Sequence, residues 1–202
     1  MLTVAQLLAF NLALLLALIA PGPAFLVCVQ ASLRGGRREG VLTGLGLGVM
    51  AGLWTLAALA GLDTVFRLFP FVYTAMRVGG AILVIVFAVL MWRGATSPVE
   101  TAAPVSPHRA FLRGFALNLG NPKSILFAAG VLLVIFPPGL SPVEMALIVG
   151  NQIALEVAVY AALATLMSRA AVRTRYLAFK PLIGRATAIV LGGLGLRLLV
   201  TT

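Results

Sequence analysis

Residues 120–127 read Gly-Asn-Pro-Lys-Ser-Ile-Leu-Phe, placing an amide, a proline and a cation at the head of a long apolar run. A proline inside a helix removes one backbone hydrogen bond and clashes with the preceding turn, at a cost of about 3 kcal/mol. Within a bilayer the freed carbonyls have no bulk water, so such backbone survives only when packed in protein or lining a wet cavity. Pro21-Gly22-Pro23 interrupts the first apolar run in the same way. The residues after each break, 24–29 and 124–129, are expected to begin half-helices whose unpaired N–H groups carry partial positive charge. Two such ends facing one cavity suit a carboxylate, with Lys123 adding a full charge and Asn118 and Asn121 adding amide donors or acceptors. The plainer alternative is a simple kink at 21–23 and a Lys123 that snorkels to the surface.

Glu156 is the second unusual residue, about midway along an apolar segment (Gly150 to Leu163). An acidic side chain there costs roughly 2.5–3.5 kcal/mol on insertion scales, and an intramembrane ionisable residue is a functional candidate by default. It would carry a proton or meet an ammonium group; the competing reading is a structural Glu–Lys pair or a neutral carboxyl bonded to another helix. Asn151 and Gln152 lie one turn away and serve either that patch or helix–helix contact. Arg77 reads as a snorkelling side chain.

The elements that must position these groups follow from composition. Of 202 residues 61% are apolar and 10% charged, and the mean hydropathy is +1.10. Soluble domains lie nearer 45–50% apolar and about 25% charged, so the chain reads as an integral membrane protein. The net charge of +10 sits in short clusters between apolar stretches, which indicates orientation in a bilayer rather than nucleic-acid binding. A single cysteine, Cys28, excludes a disulfide framework or CxxC pair, and a single histidine, His108, argues against a multi-histidine metal site. The N-terminal run reads as a retained first membrane segment, since it lacks a basic n-region and cleavage site.

A bilayer core of about 30 Å needs roughly 20 apolar helical residues. Segments at about 4–33, 41–62, 70–92, 111–136, 143–168 and 184–200 qualify. The fold class is therefore all-α, with six transmembrane helices of which the first and fourth are broken. The connection 93–109, rich in Pro, Ala and Ser, is the natural joint. It divides the chain into a three-helix half at 1–95, a linker at 96–110 and a second half at 111–202. The connection 169–181 is expected to supply a turn with a short amphipathic piece. Basic residues cluster in alternate connections, which puts both termini outside by the positive-inside rule. Three spans per half make the halves inverted, and breaks at corresponding positions of inverted halves point to a transporter binding site. Gly44, Gly48 and Gly52 share one helix face, open to close approach by a helix of the same chain or of a second subunit.

The chain resembles the lysine exporter (LysE/RhtB) family of bacterial amino-acid efflux proteins. The resemblance rests on Ala20-Pro21-Gly22-Pro23, on Ser32, Gly35, Arg37, Gly40 and Gly44-Leu45-Gly46, and on Gly114, Asn118-Leu119 and Asn121-Pro122-Lys123 followed by Ile125-Leu126-Phe127. One departure is Ser124, where Ala is commoner. The resemblance implies an inverted-repeat protein of the cytoplasmic membrane that exports amino acids or their derivatives on the proton-motive force. It carries Pro21, Gly22, Pro23, Asn118, Asn121, Pro122 and Lys123 over as substrate-cavity residues; Glu156 joins them on the physical argument alone.

The expected partners are an amino acid, protons, membrane lipid and, through the glycine stripe, a second copy of the chain; no cofactor, metal or nucleic acid is expected. The runner-up is a metal-ion exporter of the same superfamily, which would need more oxygen ligands than one buried acid supplies. An enzyme would need a nucleophile, metal or acid–base pair that one histidine, one cysteine and five scattered acids do not provide. A thiol electron carrier would need a second membrane thiol.

Overall fold

Where each break falls decides what its helix can reach. The computed structural model describes residues 2–19, 22–62, 105–121, 123–125, 127–128, 135–137 and 139–200, with residues 68, 71, 78, 82, 85–86, 88–89, 92–93 and 95–96 between them. Pro21, Pro122, Arg77, much of the third segment and most of the joint lie outside the described residues. The described elements are all helical: α1 (Val4–Ile19), α2 (Pro23–Ala57, ending in a π-helical turn at Ala58–Leu62), α3 (Pro107–Leu119), α4 (Pro142–Met167) and α5 (Ala170–Val200).

α2 is two limbs joined by a reversal. Gly36 has φ +75°, a left-handed conformation that glycine adopts without the penalty of a Cβ. The chain then folds back, and the Cys28 thiol donates to Gly40 O at 3.6 Å. The expected connection at 34–39 is therefore a tight corner between 23–35 and 37–57. The first limb continues α1 along α4. Leu2 N donates to Glu144 at α4's start, Asn11 pairs with Asn151 midway, and Leu33 packs near Met167 at its end. α1 and the first limb are thus two pieces of one broken element, as the sequence suggests.

The second limb packs on two helices through its small residues. A Cβ on Gly44 would meet Tyr160, on Gly48 Glu156 and Val157, and on Gly52 Ile153, so this limb and α4 run antiparallel in close contact. The glycine stripe serves a contact within the chain. Gly46 lies against the backbone of Phe111 and Phe115, and Gly114 against Thr43 O, which sets α3 parallel to the same limb.

Two boundaries differ from those read off the sequence. α3 starts at Pro107 rather than 111, because Ser106 accepts the Arg109 N–H as N-cap and Pro107 fits the first helical position. The connection 169–181 is helical and continuous with the last segment, with Pro181 inside it. The turn shrinks to residues 168–169, and Val172 and Tyr176 pack on Val29, Leu33 and Met167. α4 begins where expected, on a Ser141–Glu144 capping box with Pro142 next. One apolar cluster around Phe10, Phe136 and Ile148 lies on one side of the breaks, and another around Cys28, Leu47 and Tyr160 lies on the other.

Candidate functional site

The two breaks are tied to each other. Pro21 has no N–H, so the carbonyl four residues earlier, Ala17 O in the last turn of α1, has no helical donor from that position. The ammonium of Lys123 donates to Ala17 O. A cation at a helix C-terminus is also favoured by the helix dipole. Lys123 thus bridges the first break from the second.

Asn121 and Asn118 build the second break. α3 stops at Leu119, and the helix resumes at Lys123. Asn121 Oδ1 accepts the Lys123 N–H at 3.1 Å, the bond of an N-cap side chain. Asn121 O accepts from Ser124 N and Ile125 N at 3.1 and 3.2 Å. The expectation that this end presents unpaired N–H groups is corrected, because the Lys123 and Ser124 amides are already bonded. Asn118, 1% exposed, stands behind the break as a brace. Its Nδ2 donates to Leu47 O at 2.6 Å, and its Oδ1 accepts from Asn121 Nδ2 at 2.9 Å and Ser124 Oγ at 2.6 Å. Trp54 Nε1 donates to the Asn118 carbonyl at 3.3 Å.

The first break is built differently. Gly22 caps α2 without a side-chain bond, and Pro23 follows. Gly22, Ala24 and Phe25 line a cavity while Pro23 is buried.

α4 closes the site with a buried stripe at four-residue spacing, Gln152, Glu156 and Tyr160. Gln152 Nε2 donates to Glu156 Oε1 at 3.0 Å, and the Thr55 hydroxyl donates to Gln152 Oε1. Donors are therefore handed from the second limb of α2 through Gln152 to the carboxyl. Asn151 turns away and pairs with Asn11, Nδ2 to Oδ1 at 2.6 Å, which makes it helix–helix glue.

These groups enclose a cavity of about 40 Å³, with Asn121, Lys123, Ser124, Gln152, Glu156 and Tyr160 as its polar wall. At roughly 10–15 Å³ per water that space holds about three waters, so a larger guest requires the walls to part. Lys123 and Glu156 lie within electrostatic reach of each other and give the cavity one group of each charge type. Of the residues singled out from sequence, Gly22, Asn121, Lys123 and Glu156 line it. Asn118 and Pro23 lie behind it, and Pro21 and Pro122 lie outside the described residues. Tyr160, Ser124 and Thr55 were not legible as site residues. The signal for Tyr160 was its spacing of four from Glu156 and of eight from Gln152.

Residues 15–202 match the family model described as LysE type translocator. The threonine efflux protein of Salmonella typhi is 32% identical over 124 residues, covering 58% of this chain and 60% of that protein. The threonine efflux protein of Escherichia coli K12 is 30% identical over 123 residues, with the same coverage. The match thus spans less than two thirds of the threonine efflux proteins' own length. The homoserine/homoserine lactone efflux protein of Salmonella typhimurium is 29% identical over 156 residues, 76% of each chain. No solved structure matches the chain significantly.

Proposed function

We propose, from the premise that this chain belongs to the family of LysE type translocators, that it is a secondary active exporter of amino acids or their derivatives in the bacterial cytoplasmic membrane. The observation that carries the reading is the cavity between two helix breaks, lined by both Lys123 and Glu156. A zwitterion presents a carboxylate and an ammonium group a few ångströms apart, and this wall presents their complements. The relatives named for threonine and homoserine efflux make small hydroxylated amino acids the first compounds to test. They favour amino acids over metal ions, and among the described residues no three His, Cys, Asp or Glu side chains cluster.

In the proposed mechanism the substrate carboxylate docks at Lys123 and the N-terminus of α2, and its ammonium group near Glu156. Six transmembrane helices in two inverted halves, 1–95 and 111–202, would rock about the fixed site and expose it to each side in turn. α1 and α4 run one way and the second limb of α2 and α3 run the other, which is the sense expected of segments one and five against segments two and four in successive crossings. Pro142–Met167 is long and apolar enough to span a bilayer. Proton binding at Glu156 or Lys123 would drive the return, with both termini outside.

The test is efflux of labelled threonine, homoserine and a wider amino-acid panel from oriented proteoliposomes, with and without a pH gradient. Gradient-dependent export, lost in Lys123→Ala and in Glu156→Gln, is the expected result. Full gradient-dependent export by both variants overturns the assignment of the site.

A further inference from the structure

A second cavity lies on the outer surface, far in sequence from the breaks. The described residues of the third segment and α5 form an apolar groove of about 290 Å³, several times the free space between the breaks. Its floor is small: Ala88 and Ala188 are buried, and a Cβ on Gly192 would sit 3.8 Å from Ala88 Cβ. Its rim is tall and exposed, with Ile189 65% and Leu196 58% accessible. A groove with a small-residue floor and large apolar side chains at its rim suits an alkyl chain. A helix of a second copy would instead require a broad face of small residues.

One end of the groove is cationic. The guanidinium of Arg185 sits 5.5 Å over the ring of Trp92, which lines the groove. A guanidinium held over a ring face still carries N–H donors, in a fork that matches a phosphate. Tryptophan is itself enriched at the headgroup level of membranes. From Arg185 to Leu196 the helix rises roughly 16 Å, about half of a ~30 Å hydrocarbon core. The groove therefore has a cationic head and an apolar tail about one leaflet deep.

We infer that this groove binds one acyl chain of an anionic glycerophospholipid, with the lipid phosphate held at Arg185 beside Trp92. The site is independent of the transported substrate and stands or falls apart from the export reading.

The test uses the full chain in phosphatidylcholine vesicles containing a minor fraction of phosphatidylglycerol or phosphatidylcholine brominated high on its acyl chain. Bromine quenches nearby tryptophan, and the signal absent from Trp92→Phe isolates Trp92. Brominated phosphatidylglycerol is expected to quench Trp92 about fivefold more effectively than brominated phosphatidylcholine, the preference one basic residue gives at an anionic headgroup. Arg185→Gln removes the preference, and Gly192→Leu, which fills the floor, removes the extra quenching with Arg185 in place. Equal quenching by the two lipids, or a preference that survives both variants, overturns the inference. Protection of Trp92 from both lipids as protein density rises overturns it in favour of a second copy seated in the groove.

Discussion

Replacing Lys123 by Met tests whether the two helix breaks hold each other together. The variant keeps the length and apolar stem of the side chain but removes the donor to Ala17 O. That carbonyl lies at the position whose helical donor Pro21 cannot supply, so it loses this donor in a part-buried setting, at a cost of about 1–3 kcal/mol. For a chain of this size each kcal/mol moves the melting temperature by roughly 2–4 °C; a loss near 2 kcal/mol therefore lowers Tm by about 4–8 °C. Adding Pro21→Ala restores at residue 21 the N–H that a helix continued past Ile19 would give to the same carbonyl. The double variant is expected to recover at least half of the lost stability, a coupling of about 1 kcal/mol, within the range seen for residues that share a partner. Thermal unfolding of wild type, both single variants and the double variant in one detergent measures the cycle. A Tm shift below about 1 °C for Lys123→Met, or simple addition of the two losses, refutes the bridge. Export assayed in parallel separates the roles, since the double variant regains stability while the ammonium proposed to meet the substrate is still absent.

Further outcomes follow from other contacts. Asn118→Ala removes the donor to Leu47 O and strands Asn121 Nδ2 and Ser124 Oγ; at ~1–3 kcal/mol per stranded group it is expected to destabilise by about 3 kcal/mol, read as a fall in Tm. Gly114→Ala drives a methyl to 2.0 Å from Thr43 O and is expected to cost about 1–3 kcal/mol by overpacking. Gly150→Ala meets open space and is expected to leave stability unchanged or raise it by up to ~1 kcal/mol of helix propensity; equal effects of the two alanines on Tm would refute the packing of α3 on α2. Glu156→Gln keeps the size of the side chain next to Gln152 but removes its titratable proton. It is expected to abolish stimulation of export by a pH gradient, measured as the ratio of efflux with and without the gradient.

The amino-acid sequence by itself determined the class of molecule and the places where its helices fail. High apolar content and sparse charge require a bilayer or an unusually apolar core. Proline chemistry is local, so the interruptions at 21–23 and 121–123 were legible without any partner. So was the oddity of Glu156, since the cost of an acid in an apolar helix depends on its surroundings along that helix. Helix starts with strong caps, such as Ser141 with Glu144, were also local and readable. Tertiary structure decided what each polar group does. Lys123 meets a carbonyl 106 residues away, Asn118 one 71 residues away, and Thr55 a glutamine 97 residues away. Hydrogen bonds of that span are set by how helices pack, which no local pattern encodes. The glycines of α2 show the same division: their spacing announced a close approach, and only the packing of the second limb on α4 and α3 identified its partners. The amides of the second break show it as well. From sequence they offered donors to a cavity; in the folded chain they are used to hold the break open, which leaves the ammonium, the carboxyl and the uncapped start of α2 to face the cavity.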